Sequence, residues 1–373
     1  MKKSNVIRLG IKELRSLAYD KVLLILIVWA FSGAIYMAAT GASMEMHNAS
    51  IAVVDEDQSA LSLRIMDAFY KPYFQTPERI TASEIDAGMD SGRYTFVLVI
   101  PFGLERDLRA GRQPEVQLNI DATRMNQAFI GGSYIQTIIT AEVSEFVKGY
   151  RESTALPIEL AVRVAFNPNL TGLWFGGVME IINNITMLSI ILTGAALIRE
   201  REHGTIEHLL VMPVSPFEIM LAKVWAMGLV VLVASGLSLY LVVQGLLSVP
   251  VTGSIPLFLF GAALHLFSST SIGIFLGTVA RSMPQFGLLM ILLIIPLLLL
   301  SGGMTPREGM PEVVQVIMLA APTTHFVSFA QAILYRGAGL DVVWPDFLAI
   351  SGIGVLFFLA ALARFRSMVA MMR

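Results

Sequence analysis

The sequence predicts an α-helical integral membrane protein, with six transmembrane helices and a large extracytoplasmic α/β domain between the first and second spans. Three observations carry this reading. The 373 residues are 55% hydrophobic and only 14% charged, where an ordinary globular domain has about 25% charged residues. Several uncharged runs reach the roughly 20 residues needed to cross a hydrocarbon core. The charges also cluster: positions 43–172 hold 11 of the 26 Lys+Arg and 17 of the 28 Asp+Glu, so a polar domain interrupts an apolar chain. A simple soluble enzyme is excluded by this composition. The net charge of −2 shows no sign of a nucleic-acid partner. The lack of Cys excludes disulfides, thiolate metal sites and thiol catalysis.

Residues 1–21 form the first element. Ile7, Ile11, Leu14 and Ala18 share one helical face and Arg8, Lys12 and Arg15 the adjoining one, the pattern of an amphipathic helix lying in the inner interface; a cytoplasmic helix packed on a partner is the plain alternative. The first span follows at 22–42 and is too long for the apolar core of a signal peptide, so it is expected to stay as an anchor. Lys2, Lys3, Arg8, Lys12, Arg15 and Lys21 precede it, which by the positive-inside bias puts the N-terminus in the cytoplasm.

Positions 43–172 form the outer, periplasmic domain. Strand-like runs (Ile51–Val54, Thr95–Ile100, Val116–Ile120) alternate with helical stretches (Ala60–Tyr70, Phe102–Leu108 and a long one from Met125 to Tyr150), an α/β pattern. Asp55, Glu56 and Asp57 close the first run, with Ser59 placed to cap the next helix. An EF-hand loop is missing, so a turn with a cap is expected there rather than a metal site.

The five-helix region 173–373 contains the remaining spans: Leu173–Ile198, Val224–Val249, Ile255–Ala280, Gln285–Met304 and Phe347–Ala363. Val313–Tyr335 is also uncharged, but Pro322 and the polar Thr323, Thr324 and His325 interrupt it. That suits a broken or re-entrant helix within an outer segment, 305–346. Six spans leave Arg199, Arg201, Lys223, Arg281, Arg364, Arg366 and Arg373 inside with both termini; seven would place the last three outside.

The inner loop 199–223 is the most informative stretch. Ser215 and Glu218 form a capping box with Pro216 at the first helical position, and Ile206, Leu209 and Leu210 make an apolar strip beside a charged end. Such a surface either docks a soluble protein or merely orients the spans.

The string Glu200-x-Glu202-x-Gly204-Thr205-x-Glu207-x-Leu209, followed by Pro213 and Pro216, resembles the loop of permease subunits of bacterial type-2 ABC exporters. The likeness extends to Ala52-Val53-Val54-Asp55-Glu56-Asp57, to Val99-Ile100-Pro101, to Asn119-Ile120-Asp121, to Ser301-Gly302-Gly303-Met304-Thr305-Pro306 and to Ala321-Pro322-Thr323-Thr324, and so covers nearly the whole chain. It implies a non-catalytic permease half in the bacterial inner membrane, driven by a separate ABC ATPase. It also implies a second, identical or related permease subunit and a periplasmic membrane-fusion adaptor, with no cofactor on this chain and ATP and Mg on the ATPase. By the resemblance, Glu200, Glu202, Gly204, Thr205 and Glu207 contact the ATPase. The residues agree on one point independently: no Gly-Lys dipeptide occurs, so a P-loop is absent.

Within the membrane, Glu180, Asn183, Asn184, Ser189 and Thr193 form a polar stripe that either lines a transport path or hydrogen-bonds between helices. His265, among Ser268, Ser269 and Ser271, poses the same choice. Pro322 and His325 are the candidate outer gate, the alternative being a simple helix break. Export of a small amphipathic compound or drug is the leading reading. A membrane-anchored assembly or adhesion protein, and a secondary transporter with its own proton site, are the alternatives.

Overall fold

The computed structural model describes residues 3–41, 48–123, 125–148, 172–205 and 213–371. Helix α1 (Lys3–Tyr19) is followed at once by α2 (Lys21–Ala30), whose N-cap is Asp20 accepting from the Leu23 amide, and by α3 (Gly33–Gly41). The expected first span is therefore interrupted at Phe31–Ser32. The chain divides into two compact units, Met1–Ala42 with Leu173–Arg373, and Ser43–Gly172.

The second unit holds a four-stranded sheet in the order β2-β1-β3-β4. Its elements in sequence are β1 (Ile51–Asp55), α4 (Ala60–Asp67), β2 (Glu78–Arg79), α5 (Ile85–Asp90), β3 (Phe96–Ile100), α6 (Leu104–Arg109), β4 (Gln117–Ile120) and α7 (Met125–Lys148). Strand β1 runs parallel to β2 and β3, with Ala52 opposite Val97, and β4 runs antiparallel to β3. Ile51 and Val53 face α4 and α7 while Ala52 and Val54 face the side of α5, so both faces of β1 are buried and its sequence is apolar from Ile51 to Val54. The acids at the end of β1 and just after it build the turn: Asp55 accepts from the Gln58 amide and the Ser62 hydroxyl, Asp57 accepts from the Glu105 amide, and Ser59 caps α4.

In the first unit, α8 (Gly172–Glu202), α9 (Pro216–Ser238, continued as a π-helical stretch to Leu246), α10 (Ile255–Val279) and α11 (Met283–Leu300) are each long and apolar enough to span a bilayer. So is α14 (Leu340–Met371), which runs well past the expected Phe347–Ala363 because Asp341, Asp346, Arg364 and Arg366 belong to its ends. With α2–α3 this makes six candidate spans among the described residues. Between α11 and α14, α12 (Glu312–Met318) and α13 (Pro322–Leu334) meet at 89°, with Pro322 at the first position of α13.

Helices α8 and α10 approach closely through glycine. A Cβ on Gly273 would lie 2.6 Å from the Ile190 carbonyl oxygen, and one on Gly277 would lie 3.3 Å from that of Gly194. The Gly-x-x-x-Gly spacing thus serves a contact within the chain.

Candidate functional site

The face of α1 that packs on α9 is made by Val6, Gly10, Glu13 and Leu17, all buried. Gly10 is required there: an added Cβ would sit 1.9 Å from Trp225 Cζ2, and the Trp225 indole N–H donates to the Val6 carbonyl at 3.3 Å. Glu13 is the anomaly on this face, a carboxylate only 6% exposed.

Its partners explain it. Lys223 Nζ, in the second turn of α9 and 1% exposed, lies 3.1 Å from Glu13 Oε1 and 2.8 Å from Glu200 Oε2. Lys12 Nζ lies 3.4 Å from Glu13 Oε1 and 2.5 Å from Glu200 Oε1. Two carboxylates and two ammoniums thus form a neutral quartet, the arrangement in which burying charge is tolerated. Burial acts to lower the pKa of the Lys12 ammonium, but the Glu200 and Glu13 carboxylates more than offset it and hold it above the usual 10.5. Glu200 sits in the last turn of α8 and Lys223 near the start of α9, so the quartet closes the base of the loop between those helices and ties it to α1.

The loop's near end is pinned further. Arg199 pairs with Asp20, the cap of α2. Arg201 donates to the Ala280 carbonyl at 2.7 Å and Glu202 accepts from the Met283 amide at 2.8 Å, so both reach the turn between α10 and α11. The Thr205 hydroxyl donates to the Glu200 carbonyl, and Gly204 has φ +68°, the left-handed region that ends a helix. On the far side, the Ser215–Glu218 capping box is present. A cleft of about 320 Å³ opens beside the quartet, lined by Lys12, Ser16, Arg199, His203 and Thr205 among others.

Glu200 therefore departs from the expectation that it meets an ATPase: its carboxylate, in a residue 8% exposed, is taken by Lys12 and Lys223. Glu202 and Thr205 are exposed. Glu207 and the apolar strip Ile206, Leu209 and Leu210 lie outside the described residues.

The membrane candidates separate into two kinds. Asn184 donates to the Ala30 carbonyl at 2.7 Å, joining α8 to α2. His265, 0% exposed, places Nε2 2.9 Å from the Thr186 hydroxyl and stacks on Phe326 of α13 with centroids 4.1 Å apart. One turn further, Ser189 and Ser269 bond at 2.6 Å. Thr186, Ser189, His265 and Ser269 thus form a hydrogen-bonded seam between α8 and α10. Glu180 and Asn183 are half-buried, and Glu180 has only Asn183 and Asn184 of its own helix as side-chain partners among the described residues. At the bent pair, Pro322 occupies the first turn of α13, while His325 Nδ1 meets Asp346 Oδ1 at 2.9 Å and Nε2 meets the Leu319 carbonyl at 3.0 Å. His325 thus bolts the bend between α12 and α13 to α14.

The family described as ABC-2 family transporter protein matches residues 21–363, from the start of α2 nearly to the end of α14. The chain belongs to the ABC-2 transporter family. Its relatives include the Escherichia coli (strain K12) protein named "Inner membrane transport permease YhhJ", 62% identical over 368 residues that cover 99% of this chain and 98% of the relative. Two more from the same organism are named "Probable multidrug ABC transporter permease". YbhR is 28% identical over 95% of this chain and 96% of the relative, and YbhS is 25% identical over 88% of each. For an ABC-2 permease the family implies an ABC ATPase partner and a bilayer, and the inner-membrane relative with the apolar helices makes this a multi-pass inner membrane protein.

The sequence reading of this ABC-2 permease missed three members of the quartet, Lys12, Glu13 and Lys223. A signal was present: Glu13 falls in the helical spacing Val6, Gly10, Leu17, and a lone acid on an apolar face needs a buried partner. The partner's identity was not readable, because Lys223 lies 210 positions along the chain.

Proposed function

We propose that this ABC-2 permease is the non-catalytic membrane half of an exporter. A separate ABC ATPase, carrying ATP and Mg, docks on the loop 199–223 and drives outward movement of a small amphipathic compound. The observation behind this reading is the charged quartet, three of whose four members are buried: a push on the loop acts on α8, α9 and α1 together, because Glu200 and Lys223 hold its two ends to Glu13 and Lys12. Glu202, Gly204, Thr205 and Glu207 supply the docking contacts, and Glu200 passes the displacement inward. The substrate class follows the multidrug relatives. Glu180 and Asn183 face the transport path, and the Pro322–His325 bend is the outer gate. Both termini are cytoplasmic and the Ser43–Gly172 unit is periplasmic, where a membrane-fusion adaptor meets it. A second permease subunit, identical or related, completes the transporter.

The test is purification from native membranes with identification of every accompanying subunit. An ABC ATPase should accompany the wild-type chain and be lost from the Glu202→Lys/Glu207→Lys variant. A wild-type chain that never recruits an ATPase contradicts the proposal. Orientation is checked by a single cysteine at position 370, which must not react with an impermeant reagent from outside intact cells.

A further inference from the structure

Helix α1 presents three distinct surfaces. Val6, Gly10, Glu13 and Leu17 pack on the protein. Ile7 and Ile11 are 54% and 41% exposed, and with the half-buried Leu14 and the exposed Ala18 they make an apolar stripe left largely open among the described residues. Arg8, Arg15 and Tyr19 are exposed and fall on a third stripe, rotated roughly 70–100° beyond the apolar one at 3.6 residues per turn and so opposite the packed face. Neither arginine has an ion-pair partner among the described residues, although Lys12 between them is held by Glu200. Tyr19 ends the stripe one residue before Asp20 caps α2.

We propose that this stripe is a binding site for anionic phospholipid headgroups. The helix cannot leave the membrane surface, because the first span starts at its end. With Ile7 and Ile11 turned into the acyl region, the adjoining arginines come to headgroup depth, where basic side chains attract anionic lipid and an exposed tyrosine ring is favoured. Arg8 and Arg15 stand about 10 Å apart along the helix axis, two turns at 1.5 Å per residue, room for two separate phosphates. Their side of α1 points away from α9, so the lipids bind at the periphery of the permease. The site does not depend on which subunit drives transport.

The test uses the full chain reconstituted in nanodiscs containing equal amounts of phosphatidylcholine and phosphatidylglycerol. Lipids retained after detergent release are counted by native mass spectrometry. Wild type should retain phosphatidylglycerol preferentially. Arg8→Gln/Arg15→Gln should lower that preference about thirtyfold, the order expected from two basic residues at a charged surface, and Arg8→Lys/Arg15→Lys should keep most of it. A Gln variant with the wild-type preference overturns the proposal, as does a wild type with no preference. Loss of an accompanying ATPase from the Gln variant, with its lipid preference unchanged, would assign the stripe to that subunit and overturn the proposal equally. As an independent readout, a fluorophore on Ile11→Cys should be quenched by a quencher fixed on the lipid acyl chain; no quenching would place the apolar stripe outside the bilayer and refute the geometry.

Discussion

Two polar regions hold the helices together, and they use opposite chemistry. At the loop end of the bundle, Glu13, Glu200, Lys12 and Lys223 join α1, α8 and α9 through full charges. Farther along α8, Thr186, Ser189, His265 and Ser269 join it to α10 through short neutral hydrogen bonds. Hydroxyls suit the seam because they can bond back to their own helix when a partner shifts, as Ser269 does to the His265 carbonyl. Charges lack that option and fix one arrangement of three helices. The difference separates a contact that fixes three helices in one arrangement from one that packs two helices together.

The largest way to break this contrast is Lys223→Met. It leaves Glu13 and Glu200 buried with only the half-exposed Lys12, and removing one partner of a buried pair costs about 3–5 kcal/mol. Thermal unfolding followed by size-exclusion in detergent should show a marked loss, and Lys223→Met/Glu200→Met should be less destabilised than the sum of its singles. An additive result would mean the two residues do not interact. Gly10→Leu comes next: it drives a side chain into Trp225, with an overpacking cost of about 1–3 kcal/mol, and should loosen α1 enough to expose it to limited proteolysis. Thr186→Val tests the seam and should cost only about 0.6 kcal/mol, the typical value for a hydrogen bond between membrane helices. A loss as large as that of Lys223→Met would erase the distinction.

The smallest effect concerns pH. The Lys12 pKa is raised in the folded chain, so its contribution is fully present below the unfolded value of 10.5 and is lost as pH rises through the higher folded value. Wild type should therefore lose stability at strongly alkaline pH more steeply than Lys12→Gln, measured as melting temperature against pH.

Legibility followed the range of the interactions. Uncharged runs and nearby caps were readable, which is why the spans, the Ser59 and Ser215 caps and the break at Pro322 were visible in the sequence. Strand β2 was not, since it consists of two exposed residues, Glu78 and Arg79, placed by pairing with β1 and by the Arg93–Glu78 ion pair. The ends of α14 were also missed, because charged residues terminate an uncharged run but continue a helix into water. Glu200 is the instructive case. A motif reading groups it with Glu202 and Glu207 as one acidic surface, whereas the fold turns it inward to Lys12 and Lys223, residues 188 and 23 positions away. Alternation along a helix decides which acids face a partner, and that depends on where the other helices stand.

The central claim is that the loop closed by the quartet receives the ATPase. A photo-crosslinker on a single cysteine at Thr205, introduced into a chain with no native Cys, tests it most directly when irradiated in native membranes. The account predicts a covalent adduct with the nucleotide-binding subunit, weakened by Lys223→Met in proportion to the folded chain's loss of coupling. An ATPase that accompanies the chain yet never crosslinks from Thr205, while crosslinking elsewhere on the permease, would contradict it.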